Sequence, residues 1–587
     1  MRYLFNRKFY LILALIILME LFSLFGYLLP DFRQIAFFVI VALTLILSLK
    51  NLKYGVLIMF AELFIGSKGY LFYFEHSGLI ISIRIALWLV IMSVWLGGKI
   101  RKIRIKRIKR EIRIKIRELY FSFYSYFSSR FSDSYSSSRF SSFSHFFSSR
   151  SFHSYFLILF IFIAWGVING FLNHNEFSNI FFDFNGWLYF ALFFPIYKVF
   201  TIGKDIRCPK KTEVGPADSA GPTSVFFGHR MSVFYSLSQI FIASITWLSF
   251  KTFFILFIFS HNIPGTLFPL YKWIRTSGVG EITQMQGGFY RIFFQSHIFI
   301  LIGFFILLFL LLQITTQKIT TQKMTGQANY ELRGIALCVM RYALCVSCLL
   351  STILISFSRS FWAGLIVGLM LYGCIIIWLY GWRKLMQNFS ILLVTGILSI
   401  GLIATIVKFP YPDPLGGFNT AELLSERASN ISDEAAVSSR WNLLPKLWSK
   451  IKSAPILGSG FGTTITYKSS DPRVLSSTVD GEYMTYAFEW GWLDIWLKLG
   501  FFGMLAYFVL IGKIIYTGFK VMQKVKIRQN LLQFATADYD EVSKNIIDLG
   551  LVVGLVVVAV VSIFSPYLNH PLGIGYVLIV SCITWNV

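Results

Sequence analysis

Unbroken apolar runs recur along this chain, among them residues 11–29, 298–312 and 551–564. A backbone surrounded by hydrocarbon must satisfy every N–H and C=O internally, so such runs cross a membrane only as helices or as a closed barrel. Barrel strands alternate apolar and polar residues, and these runs do not, which leaves helices. Hydrophobic residues make up 56% of the 587 positions, far beyond what a soluble core needs. At about 20 residues per crossing, spans are expected at 9–29, 34–50, 53–66, 79–97, 155–170, 186–200, 232–260, 292–313, 335–357, 360–380, 389–408, 492–517, 546–565 and 571–587. Several are short, so the expected fold is an all-α polytopic membrane protein of about 12–14 transmembrane helices. The first run follows Arg2, Arg7 and Lys8 but exceeds a signal-peptide core and lacks a small-x-small cleavage site. It is read as a retained anchor.

The formal charge of +26 would fit nucleic acid if the basic residues formed a patch. They do not. Eleven Lys and Arg crowd into 99–117, and others gather at 50–53, 198–211, 318–323, 383–384 and 520–528. These are alternate connections, as expected where positive loops stay on the cytoplasmic side, and the same charge attracts anionic membrane lipids. Both termini then fall inside. Connections 66–78, 169–186, 261–291, 357–360 and 408–491 fall outside. The chain divides into N-terminal spans (1–98), a basic and Ser/Phe-rich cytoplasmic segment (99–154), central spans (155–408) with a linker at 201–230, one long extracytoplasmic loop (409–491) and C-terminal spans (492–587). The 99–154 segment reads as a low-complexity spacer in preference to a surface anchor. Cys338, Cys345 and Cys348 share a helical face, but no His or acid accompanies them, so packing is expected and no metal or cofactor is implied.

The long loop is where chemistry is expected, since the other outer connections are short. Ser438 or Ser439 can cap a helix through Ile451, with Trp441, Leu444, Leu447, Trp448 and Ile451 on one face and a kink at Pro445. That pattern suits a helix on the membrane surface. Pro455-Ile-Leu-Gly-Ser-Gly-Phe-Gly462 follows as a turn. No strand precedes its glycines and no Lys follows, so a nucleotide loop is not indicated.

Arginines at the outer ends of spans are costly unless paired or functional. Arg291, Arg359, Arg427 and Arg440 fit that description. Arg359 stands in a turn of a few residues between two spans; it is either a lipid-phosphate anchor or a ligand for an anionic substrate, for which its forked donors are suited. The acids are Asp480, Glu482, Glu489 and Asp494. Asp494 and Lys498, spaced i,i+4, can pair on a helix in a supporting role. Glu489, beside Trp490-Gly-Trp492, is a candidate general base, the alternative being an acid that only complements a helix dipole.

Ser358-Arg-Ser-Phe-Trp-Ala-Gly-Leu365, Arg440-Trp441, the 455–462 turn, Gly500-Phe-Phe-Gly503 and Pro566-Tyr-Leu-Asn-His-Pro571, in this order, resemble the O-antigen ligase and polymerase superfamily of integral-membrane glycosyltransferases. The similarity runs from about Phe289 to the C-terminus. It implies a GT-C-like fold in a bacterial cytoplasmic membrane. It also implies metal-independent transfer of a glycan from an undecaprenyl-diphosphate carrier to a glycan or lipid acceptor on the outer face. Arg291, Arg359 and Arg440 would then bind the diphosphate. Ligases of this family carry His-Asn-x-x-Leu ahead of Gly-x-x-Gly, and here the His position falls on Glu489, followed by Trp490 and Leu493. A carboxylate can still accept a proton from an attacking hydroxyl. Asp480, in Thr478-Val-Asp-Gly-Glu-Tyr483, is the rival base.

A lipid-linked oligosaccharide flippase is the reading from another class. Transporters of that kind place polar residues mid-span and show two similar halves. The span interiors read here as apolar, and the halves do not match.

Overall fold

The apolar runs are helical throughout the computed structural model, which describes residues 6–76, 79–125, 152–201, 222–325, 329–414, 417, 435–470, 472–475, 481–531 and 539–584. The helices up to the first central hairpin are α1 (Arg7–Leu28), α2 (Pro30–Lys50), α3 (Leu52–Ile65), α4 (Ile83–Ser125), α5 (Phe152–Leu172), α6 (Phe177–Asn185), α7 (Phe193–Thr201), α8 (Pro222–Ser260) and α9 (Leu267–Thr276). They continue as α10 (His297–Thr325), α11 (Asn329–Ile355), α12 (Arg359–Tyr380), α13 (Trp382–Val407), α14 (Ala435–Ser453), α15 (Gly491–Leu531), α16 (Tyr539–Phe564) and α17 (Pro571–Thr584). A 3-10 turn, Gly186–Leu192, joins α6 to α7.

Among the described residues, 12 helical segments are long and apolar enough to cross a membrane. The all-α polytopic expectation therefore holds. Among the described residues, the runs that begin at 53 and 571 fold as α3 and α17, each 14 residues and so below crossing length. At about 1.5 Å per residue they are shorter than the ~30 Å of hydrocarbon. Both are interior helices. Leu572 to Thr584 are all buried, and Gly575 of α17 lies so close to Leu63 of α3 that an added Cβ would meet Leu63 Cδ2 at 2.3 Å. Around them, α10 and α16 form the centre of the bundle while α1, α2 and α13 present most of their surface outward. The helix opened by the fourth run continues past its span to Ser125, with residues 99–111 exposed.

All the connections expected outside meet at one end of the bundle. Three antiparallel hairpins stand there: Tyr73–His76 with Leu79–Ser82, Gly280–Gln284 with Tyr290–Phe294, and Ile465–Lys468 with Glu482–Thr485. The second sets Arg291 opposite Thr283. Ser67 and Ser296 hydroxyls lie 2.8 Å apart, Ser565 donates to Ser360 at 3.1 Å, and Tyr567 donates to the Gln295 carbonyl at 3.1 Å.

The loop helix α14 differs from its expected face. Leu443, Leu447 and Ile451 are buried against the C-terminal spans, while Trp441 and Trp448 stay exposed. A stripe of i, i+4, i+8 aliphatics packs more closely than one containing bulky indoles, which have polar N–H groups and suit an interface. The helix runs through Pro445 without ending.

The span interiors are not uniformly apolar, which corrects one argument against a transporter. Lys251 of α8 bonds Glu20 of α1 at 2.7 and 2.9 Å, about 12 Å inward from the end of α1 by helix rise. His297 is fully buried beside them, its Nε2 2.9 Å from the Thr252 hydroxyl. Arg84 and Glu62 form a second buried pair, with two contacts of 2.9 Å.

Candidate active site

The glycine turn at 455–462 organises the outer face. Gly458, Gly460 and Gly462 all take positive φ, which side chains disfavour. A Cβ on Gly460 would stand 2.1 Å from the Gly170 nitrogen, so backbone passes directly over backbone. Asn169, Asn173 and Asn175, from α5 and the turn after it, donate to carbonyls along the stretch, including Gly458 at 2.8 Å and Phe461 at 2.8 Å. The turn's own amides are spent as well. Ser459 N bonds Leu497 O, Phe461 N bonds Gly166 O, and Gly462 N bonds Asp183 Oδ2 at 2.9 Å. The amides of Ser459, Phe461 and Gly462 are thus committed inside the fold.

The same turn explains Gly500-Phe-Phe-Gly503. Gly500 has φ +75° and ψ 177°, which breaks α15, and its Cβ would lie 2.1 Å from the Ile456 carbonyl oxygen. The Phe501 amide bonds Pro455 O at 3.0 Å, so the loop enters the helix at its break.

Below the turn lies a buried ionic group. Lys498 Nζ reaches Asp183 at 2.5 Å and Asp494 at 2.6 Å, and all three side chains are at most 8% exposed. Asn569 Nδ2 donates to Asp494 at 2.6 Å and to Gly491 O at 3.1 Å. The i,i+4 pair expected from the sequence is present, but its third member comes from 315 positions away. Asp183 was missed, although a lone acid inside Ile-Phe-Phe-Asp-Phe is the kind of intramembrane charge that marks a partner elsewhere.

Glu489 lies beside Trp490 in the connection that leads into α15. It is half-exposed and ion-paired with the Arg440 guanidinium across 49 positions. The Trp490 indole donates to the Arg440 carbonyl at 3.1 Å and packs edge-on against Trp441 and tilted against Phe564. Phe564 precedes Ser565, which bonds Ser360 next to Arg359. Arg359 opens α12, half-buried, and Arg291 Nε donates to the Ser356 carbonyl at 2.8 Å in the turn just before it. The turn at 564–571 therefore adjoins all three: the Arg440–Glu489 pair, the Arg291 and Arg359 region, and Asp494 through Asn569. Asp480 and Arg427 lie outside the described residues. Among the described residues no group of three or more His, Cys, Asp or Glu could hold a metal ion.

Residues 344–508 match the family model described as O-antigen ligase. The match supports the O-antigen ligase and polymerase superfamily. It supports O-antigen ligase-like polysaccharide biosynthesis in a multi-pass membrane protein. No curated protein and no solved structure matches the chain. The matched segment holds Arg359, Arg440, Asp480, Glu489, Asp494 and Lys498. It starts after Arg291 and stops before the 564–571 turn, so those contributions rest on the fold alone.

Proposed function

We propose that this protein transfers or polymerises glycans carried on undecaprenyl diphosphate, at the outer face of a bacterial cytoplasmic membrane. The observation that carries the reading is that the segment matched as O-antigen ligase brings Arg440 onto Glu489, at the bundle end that also holds Arg291 and Arg359. The acceptor hydroxyl attacks the anomeric carbon of the donor. The new C–O bond forms as the bond to the diphosphate oxygen breaks, and the electron pair leaves with undecaprenyl diphosphate. Glu489 takes the hydroxyl proton, while Arg291, Arg359 and Arg440 neutralise charge on the leaving group. Pairing with Arg440 holds the Glu489 carboxylate in place before substrate arrives. Exchange of Arg440 from Glu489 to the diphosphate then frees the carboxylate as the donor binds. Asp480 remains the rival base, and Asp494 with Lys498 supports the loop without contacting substrate.

The decisive test is reconstitution in proteoliposomes with an undecaprenyl-diphosphate-linked oligosaccharide and candidate acceptors. Release of undecaprenyl diphosphate together with a lengthened or newly decorated acceptor supports the reading. Movement of the lipid-linked glycan across the bilayer without bond cleavage would replace it with the flippase, for which the mid-span Glu20–Lys251 pair is the favouring observation.

A further inference from the structure

The 455–462 turn runs down the side of α5. Gly460 crosses Gly170, the Phe461 amide bonds Gly166 O at 3.0 Å, and the Trp165 indole donates to Leu457 O at 3.0 Å. Trp165 lies seven residues inside Leu172, the end of a 19-residue span, so Leu457 sits about 10 Å inward along the helix axis. The other flank agrees. Ser459 N bonds Leu497 O at 2.6 Å, and Leu497 lies six residues inside the span that opens at Gly491, about 9 Å by the same rise.

Irregular backbone at that depth is tolerated only where its polar groups are matched. Here they are. Pro455 O accepts from the Phe501 amide at 3.0 Å and from the Trp496 indole at 2.8 Å, and Ile456 O accepts from the same amide at 3.2 Å. Leu457 O takes a second bond, from Asn169 Nδ2 at 3.2 Å, and Asn169 also donates to Gly458 O at 2.8 Å. Gly458 N returns to Ala454 O at 2.9 Å. A turn in water needs no such set of donors, because water serves the same carbonyls. Two of these donors are indoles, which favour the membrane interface.

The side chains at the tip fit the same surroundings. Ile456 and Leu457 are 57% and 58% exposed. Trp165 shares a face of α5 with Ile161, Ile168 and Leu172, all more than half exposed. Just past the break in α15, Phe501, Leu505 and Phe508 are exposed as well. Apolar side chains left open on a span face lipid, and the tip is bonded to Trp165 on one side and to Phe501 on the other.

We propose that residues 454–462 form a re-entrant segment that dips into the adjoining leaflet and bears on lipid hydrocarbon chains through Ile456 and Leu457. The helix α14 ends at Ser453, so Arg440 stands at most about 20 Å along it from the inserted turn. The segment therefore tethers the Arg440–Glu489 end of the loop to the bilayer, whichever reaction that pair serves.

Spin labels test this in proteoliposomes of phosphatidylethanolamine and phosphatidylglycerol. Ile456→Cys and Leu457→Cys are made in the full-length chain with its six native cysteines replaced. Ile161→Cys serves as the lipid reference and Lys468→Cys, on the third hairpin, as the water reference. Collision with oxygen, which concentrates in hydrocarbon, should exceed collision with the water-soluble nickel ethylenediaminediacetate at 456 and 457, as at 161, with the reverse at 468. A water-like ratio at either position overturns the proposal. Weak collision with both reagents overturns it too, because protein then covers the tip. If the chain does not fold without its cysteines, a benzophenone side chain at Leu457 in the otherwise native protein replaces the label. Photolysis should add the mass of a phospholipid, as it should at Ile161, and an adduct at Ile161 without one at Leu457 refutes the insertion.

Discussion

Replacing Lys498 by Met is expected to loosen the outer face more than any change to the exposed arginines. Lys498 is 2% exposed and makes two charge-assisted bonds, of 2.5 Å to Asp183 and 2.6 Å to Asp494. Methionine fills nearly the same volume but leaves two buried carboxylates facing each other without a cation. Removing one partner of a buried pair costs about 3–5 kcal/mol, and uptake of a proton by one carboxylate can recover only part of that. Gly462 N–H and Asn569 Nδ2 still donate to the acids, so the cost should stay within this range and the protein should still insert. The triple change Asp183→Asn, Asp494→Asn, Lys498→Met removes all three charges and should recover most of the loss. Thermal melting of the full-length protein in detergent measures both. Limited proteolysis across 455–463 reports whether the turn held by Asp183 has opened. A Lys498→Met protein that melts with the wild type, or a triple variant no better than the single one, refutes the account of the triad.

Three further outcomes are expected. Arg359→Lys keeps the charge and loses the fork, so release of undecaprenyl diphosphate should fall about tenfold or more if Arg359 binds the diphosphate, whereas near-normal turnover would mark it as a lipid anchor. Glu489→Gln should cut turnover by about 10²–10⁴-fold with donor binding retained, and a dead Asp480→Asn beside a normal Glu489→Gln would move the base to Asp480. His570 titrates at about 3 when folded against an ordinary 6.5, so between those values the unfolded chain takes up a proton that the folded protein refuses. Stability should therefore fall as pH drops below about 6.5, and His570→Asn should lose less melting temperature between pH 7 and pH 5 than the wild type does.

The bundle could be read from the sequence because hydrocarbon imposes one rule on every residue of a span, and windowed hydropathy measures compliance with that rule. Two runs nevertheless fold as the shorter helices α3 and α17. Apolar composition alone does not distinguish a helix that faces lipid from one that faces only other helices, because both surroundings are equally greasy. The loop helix illustrates the same limit at smaller scale. Trp441, Leu447, Trp448 and Ile451 do cluster by spacing, but which of them touch protein is set by the partner helix, and α14 turns Leu443 inward in place of the indoles.

The candidate site was readable only in its local half. Asp494–Lys498 and the Gly-Ser-Gly turn follow from spacing and turn chemistry, which need no knowledge of distant residues. Asp183, Asn169, Asn173 and Asn175 enter from α5, the turn after it and α6, far upstream of their partners. Each asparagine is unremarkable by itself, and its meaning is supplied by the contact. An acid inside an apolar segment is the one signal that survives without a partner, because a lone buried charge is too costly to keep. Glu20, Glu62 and Asp183 all carry that signal, and each meets a Lys or Arg on another helix. The three pairings tie α3 to α4, α1 to α8 and α6 to α15, and through the last of them a helix upstream of the matched segment braces the face on which that segment displays Arg440 and Glu489.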